Sequence, residues 1–138
     1  MVAFEEKVRI FRRENEQMNQ AFQLGSDEHL DVLLSFKRRL EKLSNDYASF
    51  MEDIIPCCNE FKVEELKSRA IPSLLDLYAS SIGLVATLKR SRLANDLKNS
   101  CHAYYSQVEN LRELIADLEI HRANDSGLDE ILAEINIF

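Results

Sequence analysis

The sequence predicts an all-α fold, an antiparallel helical hairpin packed on a long C-terminal helix. A compact four-helix bundle is the alternative arrangement. Three observations predict the class. Apolar residues recur at alternating steps of three and four through most of the chain, the spacing that lines one face of a helix. Only three Gly and two Pro occur in 138 residues, far too few to turn the many strands of an all-β domain. Hydrophobic residues make up 46% and charged residues 30%, a balance that suits helices with one buried face and one wet face.

The first helix is expected from Val2 to Leu24. Phe4, Val8, Phe11, Asn15, Met18 and Phe22 form its seam, with Asn15 as a single polar member. A buried Asn in such a seam can fix helix register. The reading favoured here places Asn15 near an edge, in contact with water. Gly25 suits the residue just past a helix end, and Ser26 or Asp27 suits the cap of the next helix. A link this short folds residues 2–54 into a hairpin.

The second helix is expected from Glu28 to Ile54. Leu33, Phe36, Leu40, Leu43, Tyr47, Phe50 and Ile54 line it, and Leu30, Leu34 and Met51 widen the stripe. A stripe this wide predicts more than one helical neighbour. Pro56 is expected to end the helix, because proline lacks the N–H that continuation needs.

A third helix begins near Phe61 and carries Val63, Leu66, Ala70, Leu74, Leu77, Leu84 and Leu88, with Ile82 and Val85 on the same face. Pro72 interrupts it. The favoured reading has Pro72 start a fresh helix, since proline is tolerated in a first helical turn.

The stretch from Leu93 to Arg122 carries the most regular seam: Leu97, Cys101, Tyr104, Val108, Leu111, Ile115 and Leu118. Between Leu88 and Leu97 there is no Gly or Pro, which favours one continuous helix over about 73–122, on the order of 75 Å long at ~1.5 Å per residue. The hairpin would cover only part of such a rod. The uncovered seam then predicts partner helices, with Leu97, Tyr104, Val108, Leu111, Ile115 and Leu118 as the contact residues. If the chain turns after Leu88 instead, the four helices close on themselves.

Asn124 to Gly127 is a break, dividing a helical region, 1–123, from a short amphipathic tail, 124–138. Ser126 and Asp129 have capping-box spacing. Leu128, Ile131, Leu132 and Ile135 share one face, opposite Asp129, Glu130 and Glu134. So short a helix needs a docking surface, on its own bundle or on a partner. The apolar end at Ile135, Ile137 and Phe138 predicts a docked end or a longer chain.

Composition narrows the function. A net charge of -7 argues against a nonspecific nucleic-acid binder. No stretch approaches the ~18 apolar residues of a membrane span, and the N-terminus lacks a secretory core. Three cysteines, two adjacent at Cys57 and Cys58, make a poor disulfide framework and predict an intracellular, reducing compartment, cytoplasmic or nuclear. Cys57, Cys58, Cys101 and His102 lack zinc-ligand spacing. His29, His102 and His121 follow Ser26, Asn99 and Leu118 at three residues, so no Glu-x-x-His metal pair exists. No phosphate-binding Gly loop occurs. Lys89, Arg90 and Arg92 form the densest basic cluster, a candidate for acidic ligands. Tyr104 and Tyr105 point to different sides of one helix.

The expectation is therefore a non-enzymatic scaffold with no cofactor, no metal and no small-molecule substrate, whose partners are other helical subunits in a homo- or hetero-oligomer. In architecture alone it is similar to subunits of vesicle tethers and kinetochore complexes. The alternative is a self-contained bundle that acts as an adaptor for a peptide, a membrane surface or an acidic ligand.

Overall fold

The computed structural model describes residues 2–25, 30–124 and 127–135. Five helices account for nearly all of them, and no strand occurs among the described residues. They are α1 (Val2–Gly25), α2 (Leu30–Glu60), α3 (Val63–Arg90), α4 (Lys98–Leu118, with a terminal π turn Glu119–Ala123) and α5 (Gly127–Ile135).

α1 and α2 run antiparallel, as the hairpin reading expects. Phe22 stacks on Phe36 with ring centroids 4.5 Å apart, and Phe11 stacks on Phe50 at 4.9 Å. The proposed caps at Ser26 and Asp27 lie outside the described residues. α3 and α4 form a second antiparallel pair. The two pairs then pack with α1 beside α3 and α2 beside α4, each in parallel. Contacts between α1 and α3 show the alignment: Arg69 to Glu5, Arg12 to Asp76, Asn15 to Ser81 and Thr87 to Asn19. The sequence neighbours α2 and α3 therefore sit on one diagonal of the bundle, and α1 and α4 on the other.

Four sequence readings are corrected here. First, helices α3 and α4 are not continuous. Ser91 is extended (φ -69, ψ 145), and its Oγ accepts the Leu93 N–H at 3.1 Å. A serine hydroxyl offers the backbone a local partner in place of the next helical one. One irregular turn follows, and Leu97 enters the core. Turning needs no Gly or Pro when a side chain satisfies the freed N–H and the apolar stripes gain cover by folding back.

Second, α2 runs through Pro56 to Glu60. Proline removes the bond to the Glu52 carbonyl, but Glu52 and Pro56 both face solvent, where water can serve that carbonyl. The added turn brings Cys58 into the core. Third, Pro72 does not start a separate helix. A π turn, Leu66–Ala70, precedes it, with the Ile71 N–H bonded back to the Leu66 carbonyl. That wider ring shifts the hydrogen-bond register just before a residue that has no N–H to give. Fourth, Leu34 does not widen the buried stripe of α2; it is 52% exposed.

α3 is long and apolar enough, by length and composition, to pass for a membrane-crossing segment. Core helices of bundles share that composition, and over half of its most apolar stretch is buried here.

Candidate functional site

The polar centre of the bundle is built from one residue of each long helix. Asn15 comes from α1, Tyr47 from α2, Ser81 from α3 and Tyr104 from α4, and all four are fully buried. The Tyr104 hydroxyl donates to Asn15 Oδ1 at 2.7 Å. Asn15 Nδ2 donates to Ser81 Oγ at 3.3 Å. Tyr47 Oη lies 2.7 Å from Ser81 Oγ, and Ser81 Oγ donates its one proton to the Leu77 carbonyl at 2.9 Å. That assignment makes Tyr47 the donor to Ser81.

The circuit spans both diagonals of the bundle, α1 to α4 and α2 to α3. It corrects the reading of Asn15 as an edge residue. The seam spacing that places Asn15 inward was legible, but its partners, Ser81 and Tyr104, come from two other helices, α3 and α4. Burial holds the hydroxyls of Tyr47 and Tyr104 protonated, raising both above the ordinary tyrosine range; for Tyr47 the bond to Ser81 offsets part of this. These groups are structural acceptors and donors, not acids or bases poised near neutrality.

The α4 stripe that the sequence offers as a partner contact is inside. Leu97, Tyr104, Val108, Leu111, Ile115 and Leu118 are each 2% exposed or less, covered by this chain's own helices. The seam looked uncovered because the sequence reading kept α3 and α4 as one rod.

The tail docks on its own bundle, against α3 and α4. Leu128 is buried, while Ile131 and Leu132 are half-buried against the core. The side chain of Ile135 lies outside the described residues, as does Ser126 of the proposed capping box. The cap that is visible comes from elsewhere. Glu119, buried in the π turn of α4, accepts the Gly127 N–H at 2.9 Å and the Leu128 N–H at 3.1 Å. An anion at a helix N-terminus meets both the orphan donors and the positive end of the dipole. Asn124, in the left-handed conformation (φ 51), turns the chain between them. Gly127 sits close to its neighbours: a Cβ there would lie 2.7 Å from Leu75 Cδ1 and 3.2 Å from Glu119 Oε2, so the ends of those two side chains would have to shift.

Arg122, next along α4, donates to the carbonyls of Cys58 and Phe61, both at 2.8 Å, and so serves the open end of α2. Sequence reasoning missed Glu119 and Arg122. The only sequence signal is an acid set among apolar residues just before a chain break.

Cys58, Cys101, Lys89 and Tyr105 are accounted for locally. Burial raises Cys58 to about 12 and pushes Cys101 up, so neither thiol is an activated nucleophile. No cluster of metal-binding side chains occurs among the described residues. Lys89 lies over the ring of Tyr105, 5.6 Å from its centroid, so Tyr105 contacts a neighbouring helix of its own chain. No known protein family, curated protein or solved structure matches the chain.

Proposed function

We propose that this chain is a non-enzymatic helical interaction module. It folds as a self-sufficient bundle and meets its partners through grooves on its surface, not by lending a helix to a shared core. The observation that carries this reading is the burial of the whole α4 stripe within the chain. A helix whose apolar face is already covered has little left to offer a partner's core.

Two further features support it. The buried polar residues at the centre satisfy one another, which leaves no convergent, accessible polar groups for chemistry there. The α3–α4 groove already holds a short amphipathic helix, so this surface accepts helix-in-groove binding.

The test is Leu111→Asp together with light scattering of the unaltered chain. The module reading expects a monomer of 16.0 kDa and, for Leu111→Asp, loss of helical circular dichroism in the isolated chain. An obligate oligomer, or a Leu111→Asp chain that stays folded and monomeric, would overturn it.

A further inference from the structure

Charge is unevenly placed along the bundle. One end is formed by the last turn of α1, the first turns of α2, the last turn of α3 and the turn into α4. Segments 30–41 and 88–98 meet there: Lys37 shares a depression with Asn95 and Lys98, and Ser100 donates to Glu41 at 3.3 Å. These segments hold seven of the chain's 17 cations and only three of its 24 acids, Asp31, Glu41 and Asp96. Even with Asp27 and Glu28 counted, which lie outside the described residues, this end carries +2 and the remainder of the chain -9.

Lys37, Arg38, Lys89, Arg90, Arg92 and Lys98 are all exposed. Lys37 and Lys98 line the 580 Å³ depression together with Glu41 and Asp96, so those four balance one another. Arg39 turns to the α1–α2 groove beside Glu14 and Asp46, and Lys89 rests on Tyr105. Arg38 and Arg90 make no ion pair with another described residue. Leu34, at steps of four and three before Arg38 and Lys37, shares their face of α2 and is 52% exposed. The basic end thus carries an apolar side chain among its cations.

We infer that this end of the bundle docks on an anionic lipid surface. It adds a second contact to the module, apart from its grooves. Cations drawn from α2, α3 and the turn into α4 cover a bundle end, which suits a charged plane. Each Lys or Arg near such a plane strengthens binding about fivefold. Leu34 enters the boundary between headgroups and acyl chains, while Lys37 and Arg38 beside it meet the lipid phosphates. The same plane repels the -9 remainder, so the bundle stands on its basic end. A nucleic acid fits less well. No exposed Phe or Tyr lies at this end among the described residues to stack on a base, and a duplex lying along the bundle would meet its acidic sides.

The probes are phosphatidylcholine vesicles with about a third phosphatidylserine, and vesicles of phosphatidylcholine alone. Co-sedimentation is measured with the full chain. The anionic vesicles are expected to take it up and the neutral ones not to, and high salt should release it. Arg38→Glu with Arg90→Glu should weaken uptake at least about tenfold. Lys7→Glu with Lys67→Glu makes the same charge change at the opposite end and should weaken it far less. Leu34→Ser keeps every charge and should weaken uptake about fivefold. Each altered position is exposed, and unchanged circular dichroism checks each fold.

Equal losses in the two double variants would reduce the effect to bulk charge and overturn the site. So would absence of uptake by anionic vesicles, or equal uptake by both kinds. Unchanged uptake of Leu34→Ser would leave a contact with polyanions in general, and tighter binding to double-stranded DNA than to the vesicles would assign the end to nucleic acid; either result overturns the lipid surface. The module reading is untouched by these outcomes and falls only by the oligomer and Leu111→Asp results above.

Discussion

Removing single hydroxyls from the buried polar centre should reveal which hydrogen bonds are indispensable. In Tyr104→Phe, Asn15 Oδ1 loses the donor at 2.7 Å that is its partner in the fold and is left buried with none. An unsatisfied buried acceptor costs about 1–3 kcal/mol, so a loss of about 2 kcal/mol is expected. Tyr47→Phe differs. Ser81 Oγ still accepts from Asn15 and still donates to Leu77, so no remaining group is orphaned. Only the net value of one bond is lost, about 1 kcal/mol. Urea unfolding followed by circular dichroism at the helix band separates the two. With a slope of about 2 kcal/mol per molar urea, the midpoints should fall by about 1 M for Tyr104→Phe and about 0.5 M for Tyr47→Phe. Asn15→Leu with Tyr104→Phe removes both partners of the diagonal bond. That double change should cost less than the sum of its single changes by about 1 kcal/mol or more. Equal midpoints for the two tyrosine variants, or strict additivity in the Asn15 cycle, would refute the hydrogen-bond circuit and make the centre a matter of shape alone.

The remaining predictions concern the tail, the thiols and the tyrosines. Glu119→Ala removes the acceptor of two α5 amides and should free those amides to hydrogen exchange while α1 to α4 stay protected; Gly127→Ala, whose methyl displaces only the ends of the Leu75 and Glu119 side chains, should do so less. Unchanged α5 protection in both would mean that apolar contact alone holds the helix. In a thiol-reagent assay the native chain should show one fast cysteine, the half-buried Cys57, with Cys58 and Cys101 reacting only in denaturant. Three equal rates in the native state would contradict their burial. All four tyrosines, Tyr47, Tyr78, Tyr104 and Tyr105, are raised above 10.0 chiefly by burial. The unfolded chain therefore releases tyrosine protons first as pH rises past 10.0, the folded chain holds them, and stability must fall with rising pH. Tyrosinate absorbance should then appear together with loss of helix in one cooperative step. Its appearance in a fully helical chain would place the rings in water.

The step-three and step-four spacing determined much of this protein by itself. It identifies the all-α class and the inward face of each long helix, while Gly25 to Asp27 and Asn124 to Gly127 mark the hairpin link and the break before the tail. These are local properties: a helix face is set by periodicity, and periodicity can be read residue by residue. What the tertiary structure decided is where each face finds its cover. Ser91 turns the chain because its hydroxyl can serve a neighbouring N–H, an option shared by many serines that stay within helices. Pro56 and Pro72 are passed because the freed carbonyl faces water in one case and a π turn intervenes in the other. Asn15 is interior, not at an edge, because Ser81 and Tyr104 reach it from α3 and α4. Glu119 is buried because the start of α5 supplies its donors. In each case the deciding partner lies on another helix or in solvent, and a buried polar group is stable only where that partner arrives.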